Sequence, residues 1–203
     1  MGHYIGPKAR INRRLGLDVY DSSGATRASR RRTNPPGMHG ARRRRPTDYG
    51  RALVEKQKIR HYYGLSQRQL MRFFDLAQKM TGNTGENLLK ICERRLDNII
   101  WRAGLARTRA QARQAATHSH VLVNGRRADV PSTILRAGDV IQVRPRENLQ
   151  KLYSSRVEEN DRPAADFLAI DPKELTVKVV RLPEIDDVSL PVNINLVVEL
   201  LSR

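Results

Sequence analysis

Cysteine is almost absent from this sequence of 203 residues, and long apolar runs are absent altogether. The single cysteine, Cys92, excludes an internal disulfide and any zinc site built from cysteines, and its apolar helical surroundings predict a small core residue. No segment approaches the roughly 18 apolar residues of a membrane span, and the start of the chain, MGHYIGPKAR, lacks the apolar centre of a secretory signal. These absences predict a cytosolic chain.

Acidic residues are scarce as well, and their scarcity is uneven along the chain. There are 21 of them against 38 lysines and arginines, which gives a net charge of +17. Residues 1–60 carry +12, residues 61–150 carry +8 and residues 151–203 carry −3. Arginine heavily outnumbers lysine, and its forked guanidinium group suits phosphate. The front two-thirds are therefore predicted to bind a nucleic acid rather than a membrane, while the acidic tail faces proteins or solvent.

Motifs for catalysis and metal binding are also missing. The five histidines are scattered and show no HExxH or similar ligand spacing, and the phosphate-loop patterns GxGxxG and GxxxxGK do not occur. The sequence predicts a protein that is not an enzyme and that has neither a cofactor nor a metal site.

The middle of the chain has the spacing of helices. Residues 47–64 are predicted to form one helix that ends at Gly64. The next helix carries an apolar stripe at helical spacing, formed by Leu70, Phe73, Phe74 and Ala77. A third apolar run, ENLLKICERRLDNIIWRAG, predicts either one helix or two helices that share a bend.

Capping patterns and strand patterns complete this outline. Ser66 with Gln69, and Thr108 with Gln111, have the spacing of capping boxes at the starts of two helices. Strands are predicted in VLVNG, on both sides of Gly138 in ILRAGDVIQVR, and in ELTVKVVRLP. The segment SSRVEENDRPAAD is predicted to be loose.

A basic helix is predicted to begin near Arg109. Arg109 and Arg113 are four residues apart and therefore share one face, with Arg107 just before the helix start. An Asn-Gly turn in the following hairpin would bring Arg126 and Arg127 beside them. This pattern indicates either a rigid surface that binds phosphates or an ordinary solvated arginine face.

Residues 1–46 contain few apolar residues and two basic clusters, RASRRR and GARRRRP. They predict either a disordered, solvated arm or an arm that becomes ordered against RNA. Glycines and prolines, at Gly24, Pro35, Pro36, Gly37 and Gly40, favour the second interpretation because they are typical of fixed turns.

Residues 94–144 resemble the RNA-binding domain named after the fourth protein of the small ribosomal subunit, through the run RRLDNIIWRAGLARTRAQARQAATHSHVLVNGRRADVPSTILRAGDVIQVR. Other blocks resemble bacterial members of that family and occur in their order: MGHYIGPKARINRRLG, PPGMHGARRRRPTDYGRALVEKQKIRHYYGLSQRQ, TGENLL and LPVNINLVVELLSR.

The resemblance implies an α+β fold. A helical N-terminal domain, residues 47–93 completed by 183–203, would hold an inserted small α/β RNA-binding domain of two helices and a β-hairpin or small sheet. The inserted domain would cover 94–182, with its core at 94–155, and residues 1–46 would form an extended basic arm.

The resemblance also implies a function. The chain would be a structural protein of the small ribosomal subunit in the cytoplasm, where it binds ribosomal RNA (rRNA) at a multi-helix junction early in assembly. Its neighbours would include the fifth protein of the same subunit. Residues Arg42, Arg43, Arg44 and Arg45 would help to line the path by which messenger RNA (mRNA) enters. Many members of the family hold zinc in the arm with four cysteines, but this chain has Ala9 and Asn12 at two of those places.

The predicted RNA-binding side chains lie in the arm, on the first two long helices, and around the basic helix and its hairpin. They are Arg42, Arg43, Arg44, Arg45, Arg51, Lys56, Lys58, Arg60, Arg68, Arg72, Arg107, Arg109, Arg113, His118, Arg126 and Arg127. Tyr49, Tyr62 and Tyr63 are candidates for stacking on bases or for core packing.

Two alternative functions follow from the same residues. Similar RNA-binding domains accompany RNA-modifying enzymes, and RRLD resembles the Arg-Leu-Asp motif of pseudouridine synthases, whose aspartate is the nucleophile. We interpret Asp97 instead as structural and paired with an arginine, because it lies in a helix and no long catalytic domain surrounds it. The arginine helix also resembles the recognition helix of a DNA-binding helix-turn-helix, but the hairpin after it argues for RNA.

Replacing both Arg109 and Arg113 by alanine is expected, from the sequence alone, to weaken RNA binding by at most a few kcal/mol and to leave the fold intact. Binding assays and circular dichroism on the double variant test the two halves of this expectation. Unchanged affinity would move the binding face elsewhere.

Overall fold

A computed structural model describes residues 4–38, 45–160, 163 and 165–202. The chain forms two compact units, one made of Met1–Leu88 with Leu190–Arg203 and the other of Leu89–Ser189. Within the described ranges, no helix is both long enough and apolar enough to cross a membrane.

Helices dominate the first unit, and the second combines helices with a sheet. In chain order the elements are α1 (Lys8–Leu15), α2 (Ser23–Arg31), α3 (Asp48–Tyr62), α4 (Gln67–Gln78), α5 (Thr84–Glu93), α6 (Leu96–Arg102), α7 (Arg109–Thr117), β1 (Val121–Val123), β2 (Arg126–Arg127), β3 (Val140–Val143), α8 (Glu147–Glu158), β4 (Leu168–Asp171), β5 (Thr176–Val179) and α9 (Ile194–Ser202).

Polar side chains fix where the long helices of the first unit begin. Oγ1 of Thr47 accepts a hydrogen bond from the amide of Gly50 at 3.1 Å, which starts α3. Ser66 and Gln69 form the predicted capping box at the start of α4, with both of its hydrogen bonds present. The predicted apolar stripe of α4 is confirmed, because all four of its residues are buried.

The C-terminal helix α9 returns to the first unit and packs against α3. The amide of Asn193, just before α9, donates to Oε2 of Glu55 on α3 at 2.9 Å. Val197 is the fully buried residue of α9. The last residues of the chain, Leu190–Arg203, are therefore part of the first unit.

Residues 8–31 form α1 and α2, so the prediction of an extended arm is wrong over this stretch. The two helices pack on each other, and their buried apolar surface comes from only a few side chains, Leu15, Val19 and Ala25. So few apolar positions leave no visible period in the sequence. Gly24 lies inside α2 rather than in a turn.

A buried asparagine holds the loop between α1 and α2. Asn12 is 1% exposed, and its Nδ2 donates to Oδ1 of Asp18 and to the carbonyl of Tyr20, both at 3.0 Å. Its Oδ1 accepts from the amide of Tyr20 at 3.1 Å. One side chain therefore satisfies both backbone groups of Tyr20.

An aromatic cluster joins this loop to α3. The hydroxyl of Tyr20 lies 3.1 Å from Nδ1 of His61, and the ring of Tyr4 stacks on Tyr20 with centroids 6.1 Å apart. Burial, and after it the nearby Tyr4, raises the pKa of Tyr20 to about 12. Burial, and after it repulsion from Arg60, lowers the pKa of His61. Both shifts favour the uncharged forms of the Tyr20 and His61 side chains.

The second unit contains a five-stranded antiparallel sheet in the order β2-β1-β3-β5-β4. Val121 lies opposite Val143, and Ile141 lies opposite Val177, so that buried side chains share one face. The sheet agrees with the predicted hairpin or small sheet, but its edge strand β4 was not predicted. The helix α8 was also missed, although the buried Tyr153 and the partly buried Leu149 and Val157 recur at a spacing of four residues and pack in the core.

One turn and one helix break in the second unit follow from local chemistry. Asn124 and Gly125 both have positive φ angles, 50° and 75°, which matches a type I′ turn and confirms the predicted hairpin. Asn124 also binds the next strand, because its Oδ1 accepts from the amide of Val140 at 2.9 Å. The third apolar run forms two helices, α5 and α6, since Arg95 leaves the helix to pair with Ile134.

Replacing Asn12 by alanine is expected to destabilise the first unit by about 1–3 kcal/mol, because the amide and carbonyl of Tyr20 lose their buried partners. Chemical denaturation followed by circular dichroism measures the loss. Asn34→Ala is the matched control, because among the described residues Asn34 is hydrogen-bonded through its backbone carbonyl, to Nε of Arg13 at 2.8 Å, and not through its side chain. Equal stability of the two variants would remove Asn12 from this role.

Acidification below about pH 6.5 is expected to weaken the packing of the arm. The folded chain resists protonation of His61 and the unfolded chain does not, so stability falls as the pH drops through this range. Amide hydrogen exchange of α1 and α3 between pH 8 and 5 measures this effect. His61→Gln should show a smaller pH dependence, whereas exchange in a His118→Gln control should still follow the wild type.

Candidate nucleic-acid interface

Asp97 is the centre of a network of buried charges in the second unit. Its carboxylate accepts a hydrogen bond from Nε of Arg95 at 2.9 Å and a second one from Nη2 of the same side chain. Nη1 of Arg113, on α7, lies 3.3 Å from Oδ2 of Asp97. Because Arg95 is fully buried, its charge depends on this carboxylate. The predicted pairing of Asp97 with an arginine is confirmed.

A second group of contacts holds Arg109. Its guanidinium carbon lies 3.6 Å from the centroid of the Trp101 ring, and its Nε donates to Oδ1 of Asn98 at 3.2 Å. The amide nitrogen of Asn98 donates in turn to Oε2 of Glu93 at 2.6 Å. Glu93 is buried and also accepts two hydrogen bonds from Arg102, each at 2.9 Å.

The shared face of Arg109 and Arg113 is therefore turned towards α6. The side chain of Arg113 is 14% exposed, and both arginines link α7 to polar groups of α6. These contacts argue against the expectation that both can be replaced without harm to the fold, because Asp97 would lose one of its two arginine partners and Oδ1 of Asn98 would lose its contact with Arg109. The four-residue spacing in the sequence predicts that Arg109 and Arg113 share one face of α7. It does not show whether that face packs against the protein or faces solvent.

The start of α7 has half of the predicted capping box. Oγ1 of Thr108 accepts from the amide of Gln111 at 3.3 Å, but the side chain of Gln111 accepts from the amide of Arg107 instead of the amide of Thr108. The side chain of Arg107 pairs with Glu159, and both are exposed to solvent, so this pair is weak. Arg107 therefore stays accessible at the surface.

Exposed basic side chains gather around the turn that follows α7. Three of the predicted sites are exposed here, as an RNA contact requires: His118, Arg126 and Arg127. Nε of Arg127 donates a hydrogen bond to Oγ of Ser119 at 2.8 Å. Arg144 and Arg146 lie across a cleft from His118 but were not among the predicted sites. Their signal in the sequence was the pair of arginines in VRPRE directly after a strand.

The predicted cations of the first unit differ in their surroundings. Arg45, Arg68 and Arg72 are exposed, and Arg51 is 3.9 Å from Asp48 in an exposed pair. Lys58 is half-buried and bonded to Glu55 at 2.7 Å, which gives it a structural contact.

Two further predicted side chains are half-buried, and three lie beyond the described ranges. Arg60 donates to Oε1 of Gln57 at 3.2 Å, and Lys56 is half-buried on the same helix. Arg42, Arg43 and Arg44 lie outside the residues that the structure describes.

The three candidate tyrosines separate by exposure. Tyr49 is 60% exposed and presents a free ring face for stacking, while Tyr63 is buried in the core. Tyr62 is half-buried, and its ring meets that of Tyr63 edge to face at 4.9 Å between centroids. Tyr49 is therefore the best candidate of the three for contact with a base.

Comparison with known proteins gives the same two-part organisation. Residues 3–93 match the Ribosomal protein S4/S9 N-terminal domain family, and residues 94–141 match the S4 domain family. The chain is 54% identical over its whole length to the Small ribosomal subunit protein uS4 of Rhodopirellula baltica, which is also covered completely. It is 44% identical to that of Roseiflexus castenholzii, with both chains fully covered, and 41% identical to that of Borrelia recurrentis, over 97% of this chain and 96% of the relative.

The chain belongs to the uS4 family of small ribosomal subunit proteins.

Membership of the uS4 family agrees with a role that is structural rather than enzymatic. The surroundings of Asp97 explain why it is no nucleophile, since its carboxylate is buried and already bound by Arg95 and Arg113. A helix-turn-helix function is disfavoured by the same contacts, because the arginine face of α7 packs on α6 instead of facing a groove.

The arm of this uS4 chain does not provide the ligands of the zinc-holding members. The side chain of Ala9 has no atom that could bind a metal ion. The side-chain amide of Asn12 is already hydrogen-bonded to Asp18 and Tyr20. Within the described parts of the chain, no group of three or more His, Cys, Asp or Glu side chains is arranged to hold a metal ion. Hydrogen bonds and aromatic packing organise the described part of the arm instead.

Replacing Asp97 by asparagine is expected to destabilise the second unit by about 3–5 kcal/mol, because Arg95 remains buried without a compensating charge. Arg113→Ala should cost less, about 1.5–3 kcal/mol, and the two changes should not be additive. Denaturant unfolding monitored by Trp101 fluorescence provides the measurement. Arg126→Ala, at an exposed site, is the control and should change stability by less than about 0.5 kcal/mol. Additive losses would show that Asp97 and Arg113 act independently.

Proposed function

We propose that this chain binds small-subunit rRNA at a junction of several RNA helices and nucleates assembly of the subunit. At the coarser level, it is a ribosomal structural protein that binds rRNA, as its family indicates. The proposal goes further by assigning the kind of RNA target and the stage of assembly.

The observation that carries this proposal is the distribution of compensated and uncompensated arginines. Arg95, Arg102, Arg109 and Arg113 are committed to contacts inside the second unit. The cations at the α7–β1 turn and in the β1–β2 hairpin remain exposed on a rigid sheet. Fixed, exposed guanidinium groups suit a folded RNA, since structured RNA is recognised through its backbone shape and 2′-hydroxyl groups.

Both units take part in the proposed binding. In the second unit we assign phosphate contacts to Arg107, His118, Arg126 and Arg127, and we keep Arg109 and Arg113 as residues that hold the surface in shape and reach RNA only at its edge. In the first unit we assign them to the exposed Arg45, Arg51, Arg68 and Arg72, with Lys56, Lys58 and Arg60 beside them. We also propose 94–182 as the RNA-binding domain, with its core at 94–155.

Further partners are proposed from the family resemblance and from charge. Arg42, Arg43, Arg44 and Arg45 would contact mRNA as it enters the ribosome, because four successive arginines attract a phosphate backbone. The fifth protein of the small subunit is the proposed protein neighbour. The site of action is the ribosome in the cytoplasm.

A purified chain is expected to prefer its own small-subunit rRNA over duplex RNA of equal length, and to keep that preference at roughly 0.2 M salt. The reason is that a rigid arrangement of cations matches one phosphate geometry better than others. Filter binding or fluorescence anisotropy at several salt concentrations provides the affinities. Equal affinities that fall together with salt would describe a non-specific polycation and would contradict the proposal.

A further inference from the structure

A basic cleft lies beside the α7–β1 turn of the second unit, and we call it the His118–Arg146 cleft. It has a volume of about 480 Å³ and is open to solvent. One wall is the turn His118–His120, and the other is the segment from the end of β3 to the start of α8. The side chains used below are His118, His120, Arg144, Arg146 and Glu147.

The backbone of this cleft is held firmly in place. Ser119 is buried and has a φ angle of 53°, and its amide donates to the carbonyl of Ala116 at 2.8 Å. The amide of Arg144 donates to the carbonyl of His120 at 2.9 Å, which fastens the two walls to each other. The imidazole Nδ1 of His120 lies 3.1 Å from the hydroxyl of the buried Tyr153. The cleft is therefore a preformed feature of the sheet and not a gap between loose side chains.

The charge of the cleft is positive and is not balanced from within. Glu147 is the one acidic residue that lines it, and its carboxylate is bonded to Nζ of Lys151 at 2.6 Å. Among the described residues, no carboxylate forms an ion pair with Arg144 or Arg146, in contrast to Arg95, Arg102 and Arg113.

His120 is affected first by burial and then by the positive charges around it. Burial lowers its pKa, and so do His118, Arg156, Arg144 and Arg146, in that order of effect. Tyr153 and Glu147 are the other titratable groups beside it.

We propose that the His118–Arg146 cleft binds one backbone phosphate of the RNA, with Arg146 and Arg144 as the guanidinium donors and His118 at the opposite wall. This inference rests on the proposed function for the source of the phosphate, while the cleft itself rests on geometry. A phosphodiester fits better than an apolar or cationic ligand, because the walls offer N–H donors and uncompensated positive charge. The site also explains how this surface can bind RNA although Arg109 and Arg113 form contacts inside the second unit.

The test compares two charge-neutralising variants of the full chain, Arg146→Gln in the cleft and Lys178→Gln on β5. Lys178 is exposed and lies opposite Val140, at the other end of β3 from Arg144. Arg146→Gln should weaken rRNA binding about tenfold at roughly 0.1 M salt and reduce the slope of log K against log salt by about one. Lys178→Gln should change both much less. Arg146→Lys should restore the slope and only part of the affinity, because it keeps the charge without the fork.

A second measurement separates RNA phosphate from free phosphate. Inorganic phosphate titrated into the wild-type chain without RNA should shift the imidazole NMR signals of His118 and His120, and Arg146→Gln should abolish these shifts. Equal effects of Arg146→Gln and Lys178→Gln on rRNA binding would overturn the proposal. Phosphate-induced shifts together with equal effects on RNA would mean that the cleft takes free phosphate only, which also overturns it.

RNA binding by the wild-type chain tests the proposed function separately from the proposed phosphate site. If it shows no preference for rRNA over duplex RNA, the proposed function fails. The slope difference between Arg146→Gln and Lys178→Gln, measured on either RNA, still decides whether the cleft binds a backbone phosphate.

Discussion

A buried carboxylate between two guanidinium groups is the constraint on which the second unit depends. Asp97 compensates the fully buried Arg95 and also reaches Arg113, so α6 cannot turn away from α7 without leaving a charge unpaired. The position of α7 determines where the His118–His120 turn lies. That turn is bonded to the end of β3, and so the geometry of the exposed basic surface follows from an internal ion pair.

This constraint divides arginines of one basic segment into two roles. Those that face α6 carry hydrogen bonds, ion pairs or ring contacts and contribute to stability, whereas those at the turn and hairpin keep their charge for a partner. A protein with many arginines needs such a division, because unpaired like charges repel each other when the chain becomes compact. The arginines at the surface are the ones that we propose for RNA binding.

The arm shows a different solution to the problem of a small core. Few apolar side chains are buried between α1 and α2, and the amide of Asn12 supplies specific hydrogen bonds where relatives of another type use a metal. The Tyr4, Tyr20 and His61 cluster then attaches this loop to α3 through uncharged groups. The part of the arm formed by α1, α2 and their loop is thus organised by its own contacts, which lowers the ordering entropy that binding would cost.

The sequence by itself determined the fold class, the basic character of the front of the chain, the Asn124-Gly125 hairpin and the cap of α4, because each depends on neighbouring residues or on charge. It missed the helices of the arm, whose burial is too slight to leave a period, and it also missed α8 and β4. Only the tertiary structure decided which arginines face inwards. Helical spacing places Arg109 and Arg113 on one face, but whether that face meets Asp97 or a phosphate depends on residues far along the chain.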